Sequence, residues 1–201
     1  MESSLESTNN ELVAPEANAP NAHEDLTAYW LSLLYLFAIA LAIRLWFNFG
    51  TEHINSAAAS DASEYLRYAA ALSKLNWTAL TFGSEWKEFV ITGPAFPFFL
   101  WLCSFAAINP INSQHLNVFL VAQSLISSLT AVLIAATGKN LWNKKVALVA
   151  GYIAAFYPAF IVNSGRLYSE TFATFVEVAA LTILTLPAGT QQQKYKYVLL
   201  G

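Results

Sequence analysis

Apolar residues gather in long blocks with short polar stretches between them. Four blocks, at 29–49, 116–137, 146–162 and 168–187, carry few charges. Each approaches the ~20 apolar residues that cross ~30 Å of hydrocarbon. They are predicted as helices, because a helix satisfies its own backbone in lipid, whereas barrel strands would be shorter and alternating. The expected fold class is therefore all-α, a polytopic transmembrane helical bundle. A fifth apolar run, at 94–108, is opened by Pro94 and interrupted by Pro97. Its length favours a helix lying along the interface over a crossing. Tyr197-Val198-Leu199-Leu200-Gly201 looks like the beginning of a further span from about residue 195.

Between the first two blocks the chain turns polar but keeps helical order. Ala62, Tyr65, Leu66, Ala69 and Leu72 recur at 3.6-residue spacing on one face, with Glu64, Arg67 and Lys74 opposite. That pattern predicts an amphipathic helix in the membrane plane. With the run at 94–108 also interfacial, residues 50–113 form one external loop of membrane-parallel helices. A crossing at 94–108 would instead place the loop at 50–92 inside.

Composition agrees with the blocks. Of 201 residues, 56% are hydrophobic and 11% charged, against about 25% charged in a soluble domain. The net charge of −3 is unevenly spread: residues 1–28 hold Glu2, Glu6, Glu11, Glu16, Glu24 and Asp25 and no Lys or Arg. This Ser-, Asn-, Ala- and Pro-rich stretch is expected to be a disordered acidic cytoplasmic tail. It lacks the basic start of a signal peptide. The single Cys103 excludes an internal disulfide and a Cys-based metal site. His23, His53 and His115 show no metal-ligand spacing, so no metal site is expected. Neither a Gly-rich phosphate loop, a nucleophile elbow nor a basic nucleic-acid stripe is present.

Lys139, Lys144 and Lys145 in one loop, and Lys194 and Lys196 in another, flank a pair of predicted spans. Both loops then lie on one side, which the positive-inside rule makes cytoplasmic. The turn between those spans, at 163–170, faces outward.

Three groups carry candidate chemistry. Asp61 stands at the start of the amphipathic helix. Its spacing to Glu64 fits a capping box, and a carboxylate held there also suits a general base for an incoming hydroxyl. Arg166 and Glu170, four residues apart at a span mouth, either pair with each other or leave Arg166 for a phosphate. Glu177, two turns deeper on roughly the same face, points to a polar cavity. Arg44 near the end of the first span either snorkels outward or faces the bundle.

The order of short motifs resembles a known family. Asp-Ala-x-x-Tyr-x-x-x-Ala (Asp61, Ala62, Tyr65, Ala69) follows the first span, and Pro-x-x-Pro-Phe-Phe-Leu comes next at 94–100. Ala122-Gln123-Ser124-Leu125, Gly138-Lys139-Asn140-Leu141-Trp142, Ala155-Phe156-Tyr157-Pro158 and Tyr168-Ser169-Glu170-Thr171 then follow in turn. Over about residues 29–187 this resembles the polyprenol-phosphate-sugar-dependent glycosyltransferases of the GT-C fold. They include protein O-mannosyltransferases, lipid A aminoarabinose transferases and bacterial relatives that add sugars to lipopolysaccharide. The resemblance implies that Asp61 is the catalytic base, with Tyr65, Arg67, Arg166 and Glu170 binding substrate. It also implies an inverting transfer at the periplasmic or lumenal face of a membrane, most naturally the bacterial plasma membrane. The donor would be a polyprenyl-phosphate sugar, and the acceptor a glycan, lipid or protein; no further cofactor is implied.

Two departures qualify it. Many relatives place a basic residue before a Pro-Pro pair where this chain reads Thr92-Gly93-Pro94. That phosphate contact is unassigned, with Lys87, Arg67 or Arg166 as substitutes. Family members are also typically more than twice as long, so residues 29–201 are expected to be the N-terminal portion of such a domain. The competing expectation is a transporter or channel subunit whose path is lined by Glu170, Glu177 and Arg44. A third is a non-catalytic membrane fragment whose acids only cap helices.

Overall fold

The computed structural model describes residues 22–50, 61–73, 93–107 and 116–186. All the regular elements among them are helices: α1 (Ala22–Gly50), α2 (Asp61–Ser73), α3 (Ala95–Ala107), α4 (Leu116–Leu141), α5 (Lys144–Phe156), α6 (Pro158–Ser164) and α7 (Ser169–Thr185). Two are long and apolar enough to cross a membrane, α1 over Leu26–Gly50 and α4, and the bent pair α5–α6 makes a third if counted as one. Trp30, Leu31, Leu34, Tyr35 and Trp46 of α1, and Val149 and Ile153 of α5, are exposed. Apolar surface on that scale marks a chain that associates with a membrane.

The block expected as one span at 146–162 is two helices, bent by 51° at Tyr157. Pro158 is the cause. It has no N–H to give the carbonyl four residues back, and its ring crowds that turn. It also drives the preceding residue out of the helical region, and Tyr157 has φ −66° and ψ 118°. The first helix begins at Ala22 rather than at 29, so the last residues of the expected tail are helical. The last block gives 17 residues in α7, about 25 Å of helix. The acidic tail up to residue 21, Lys74, Lys87, Lys194, Lys196 and the span from about 195 lie outside the described residues.

Helix α4 is the central element, packed against α1, α5 and α7. The α4–α5 seam is built of small residues. Ala131, Ala135 and Gly138 face Ala147, Gly151 and Ala155, the last three at four-residue intervals. Such spacing lets backbones approach closely, which is how helices gain packing where lipid supplies no hydrophobic drive. At Gly151 a Cβ would lie 2.9 Å from Ala135 Cβ and 2.5 Å from Leu36 Cδ2. Tyr29, Leu33, Leu36 and Ala40 complete this apolar core from α1.

The helices share two distinct ends. At one, Lys139 Nζ stands 4.4 Å above the Tyr29 ring, Asn143 Oδ1 accepts from Val146 N at the start of α5, and Thr137 and Thr182 hydroxyls meet at 2.8 Å. At the other lie α2, α3 and the start of α7. Lys139, Lys144 and Lys145 therefore sit opposite the helix that Asp61 opens.

Alanine at an unstrained helical glycine ordinarily stabilises by ~0.4–1 kcal/mol. At Gly151 the sign should reverse, because Ala135 Cβ is fixed to its backbone. Gly151→Ala is expected to lose roughly 1–3 kcal/mol, seen as a lower unfolding midpoint in detergent. A raised midpoint would show that the helices do not meet this closely.

Candidate functional site

The buried face of α1 changes character along its length. After Tyr29, Leu33, Leu36 and Ala40 the same stripe continues with Arg44 and Asn48, both buried. Arg44 thus faces the bundle, the second of its two expected placements, and is fully shielded from solvent. Its Nε donates to Ser127 Oγ at 2.7 Å. Nη1 donates to the carbonyls of Ala40 (2.9 Å) and Ala155 (3.2 Å), and Nη2 to that of Ala154 (3.5 Å). Ala154 and Ala155 belong to the last turn of α5, where Pro158 has no N–H for the Ala154 carbonyl and leaves it a long bond from Tyr157 N at 3.4 Å. Arg44 therefore caps the broken helix, with its positive charge at the negative end of a dipole.

One turn on, Asn48 does the same for α6. Its Nδ2 donates to Ser164 O at 3.1 Å and to Ser124 Oγ at 2.9 Å. Gly165 leaves room beside it, since a Cβ there would lie 2.5 Å from Asn48 Oδ1 and displace the amide. Facing these two residues, α4 presents Ser124, Ser127 and Ser128, and next to them Gln123, all buried.

Helix α2 closes this end. Ala62, Tyr65, Ala69 and Leu72 are buried as the periodicity predicts, and Tyr68 joins them. The face expected to lie in the membrane is covered instead by protein. Tyr65 packs edge-on against Phe96 of α3 at 4.9 Å, and Phe99 packs on Phe172 of α7 at 5.1 Å. Tyr65 Oη also reaches Ser169 Oγ, at 3.4 Å. Helix α3 has 13 residues, about 20 Å, shorter than the hydrocarbon layer.

The predicted site residues are only partly brought together. Asp61 is the first residue of α2. Tyr65, one turn later, joins α2 to Ser169, the neighbour of Glu170. Arg67 lies on the opposite, exposed face, with its guanidinium 5.1 Å from the Tyr68 ring centroid. Arg166 does not pair with Glu170; its guanidinium stands 5.9 Å from the centroid of the Tyr168 ring. Glu170 and Glu177 line two different pockets. Glu170 lines a small pocket between α4, α6 and α7. Glu177 lines an open, mostly apolar groove of about 300 Å³ between α7 and the start of α3, with Gly93, Phe96, Ser169 and Phe172.

Sequence reasoning missed Asn48 and Ser127, and named Gln123, Ser124 and Thr171 only as parts of short motifs, with no role. A signal was present: Arg44 and Asn48 stand four apart on α1, and serines recur at three- and four-residue intervals on α4. Compared with protein-family models, with curated proteins and with solved structures, the chain matches none.

Two substitutions test the caps. Arg44→Lys keeps the charge but offers one compact ammonium in place of a planar fork. Leaving buried acceptors unpaired costs about 1–3 kcal/mol each, so a clear drop in unfolding midpoint is expected; an unchanged midpoint would mean the fork does not cap α5. Gly165→Ala should lose roughly 1 kcal/mol by displacing the Asn48 amide. In an Asn48→Ala background that loss should vanish. A double-mutant cycle measures this, and additive losses would refute the contact.

Proposed function

We propose that this chain is part of a membrane glycosyltransferase of the GT-C type, moving a sugar from a polyprenyl-phosphate donor to an acceptor hydroxyl. In this reading the chain is polytopic, with the Asp61 end at the periplasmic or lumenal face and the lysine-bearing end in the cytoplasm. The observation that carries it is the tie between α2 and α7. Tyr65 on Ser169 brings the helix that Asp61 opens to the same end of the bundle as Arg166 and Glu170, opposite Lys139, Lys144 and Lys145.

The chemistry follows from that arrangement. The acceptor oxygen attacks the anomeric carbon as Asp61 takes its proton. The carbon–oxygen bond to the lipid phosphate breaks on the opposite face of the sugar, and the configuration inverts. Arg166, exposed at the mouth of α7, suits the phosphate through its planar fork, and Arg67 is a second cation on the exposed face of α2. The apolar groove between α3 and α7 suits a prenyl chain, with Ser169 at one end and Glu177 at the other. Acceptors in this reading are glycans, lipids or proteins.

The break at Tyr157–Pro158 favours a second reading, since transporters build sites from discontinuous helices. Here, however, the carbonyls freed at the break are held by Arg44 rather than offered to a solute.

Asp61→Asn keeps the size and shape of the side chain while removing the base. In membranes carrying the chain with whatever further spans belong to it, the variant should insert normally and lose transfer from a radiolabelled polyprenyl-phosphate sugar by at least ~100-fold. A well-inserted Asn variant with wild-type transfer would sink the assignment. Solute uptake into proteoliposomes that survives Asp61→Asn would favour the transporter.

A further inference from the structure

We propose that the small pocket where α4, α6 and α7 meet binds one ordered water molecule, which links the Glu170 carboxylate to Ser127 and through it to the buried Arg44 guanidinium. The pocket is about 10 Å³, and its walls carry the polar side chains of Ser127, Thr130, Asn163, Glu170, Thr171 and Thr174. That is close to the smallest space that takes a water, which also needs two to four polar partners.

The hydroxyls in the wall are not equivalent. Ser127 Oγ accepts from Arg44 Nε and donates to Phe160 O at 3.3 Å. Thr130 donates to Ile126 O at 2.8 Å. Both have committed their protons and retain lone pairs. Thr171 is 6% exposed, and its Oγ1 has no hydrogen-bond partner. It supplies a free proton, and Glu170 supplies acceptor oxygens. Water has two donors and two acceptors, which matches this set. It accepts from Thr171 and donates to Glu170 and to Ser127.

Charge selects water over an ion. Arg44 has no carboxylate in contact among the described residues, and its guanidinium is one hydrogen bond behind the pocket wall. A cation in the pocket would face that charge across Ser127, with a single, exposed carboxylate to offset both. An anion would face Glu170. A neutral dipole avoids both conflicts, and Ser127, accepting from Arg44 and from the water, joins the two sides. Glu170 is then the counter-charge of Arg44 across one water and the Ser127 hydroxyl. The first turn of α7 is thereby coupled to the break between α5 and α6.

The test uses thermal unfolding of the full chain in detergent. Thr171→Val preserves shape and removes only the hydroxyl. If that hydroxyl holds water, the midpoint falls by about 2–4 °C. If it is buried without a partner, removing it leaves the midpoint unchanged or raises it, and the proposal fails. Independently, Glu170→Gln should lower the midpoint in the otherwise unaltered chain and leave it unmoved in a Ser127→Ala background. Equal drops in both backgrounds, or no drop in the first, would overturn the link. Exchanging sodium chloride for choline chloride should change nothing; a sodium-dependent rise would place a cation there and overturn the water.

Discussion

A guanidinium closed off from solvent and bound, among the described residues, by a hydroxyl and three backbone carbonyls holds the centre of this fold. Proline at 158 creates the need for it. A helix broken inside a bundle leaves carbonyls that neither lipid nor apolar side chains can satisfy, and each such group is expensive when buried. Arg44 supplies donors in a planar fork to Ala154 and Ala155 together, and a further one to Ser127 on α4. One side chain thereby joins α1, α4 and α5. A lysine has the charge but not the geometry, and an apolar residue has neither. Asn48 repeats the device one turn later on α6. The bend of 51° is thus fixed by hydrogen bonds from α1 and is not a point of slack.

This division of labour makes the bundle asymmetric. Toward the lysine-bearing end, α1, α4 and α5 meet through alanines and glycines, where close approach and dispersion do the holding. Toward the other end the same helices meet through Arg44, Asn48, Ser124 and Ser127, where hydrogen bonds do. Gly151 and Gly165 mark the two regimes. The first is small so that Leu36 and Ala135 can touch it, the second so that an amide can. The polar regime lies beneath α2 and the start of α7, where the chain's candidate chemistry gathers. A rigid polar floor is what a carboxylate base would need if its position is to be held within a fraction of an ångström.

Much of this was legible in the sequence because it depends on periodicity. The buried face of α2 was written in Ala62, Tyr65, Ala69 and Leu72, and helices at 116–137 and 168–187 followed from unbroken apolar runs. The break was not, although Pro158 was in plain view. Apolar content continues straight through Phe156, Tyr157, Pro158, Ala159 and Phe160. Hydropathy measures transfer from water and is blind to a missing N–H. The polar seam was hidden for a related reason. A serine or glutamine within an apolar block scarcely alters its average, and its meaning appears only when the partner helix is known. Arg44 could be recognised as anomalous from its own helix, but not what it served, because Ala155 lies 111 residues away. Pairings such as Tyr65 with Ser169 are equally nonlocal.

The seam also weighs on the two functional readings. In a transporter, a discontinuous helix earns its place by turning unsatisfied carbonyls toward a passing ion. Here those carbonyls already receive a fixed cation, and Asn48 occupies the corresponding carbonyl at the end of α6. For an ion to use this break, Arg44 would have to leave four acceptors and find others at the same depth. Toward Tyr29 the buried face of α1 before Arg44 is apolar, and a groove there, lined by Trp30, Leu33, Leu34 and Phe37, is apolar as well. A break sealed in this way gives shape instead of a path. It lets α6 turn so that its end, capped by Asn48, delivers the chain to Arg166 and the start of α7. The charged core is therefore best understood as the support of the Asp61 end of the molecule, not as a conduit through it.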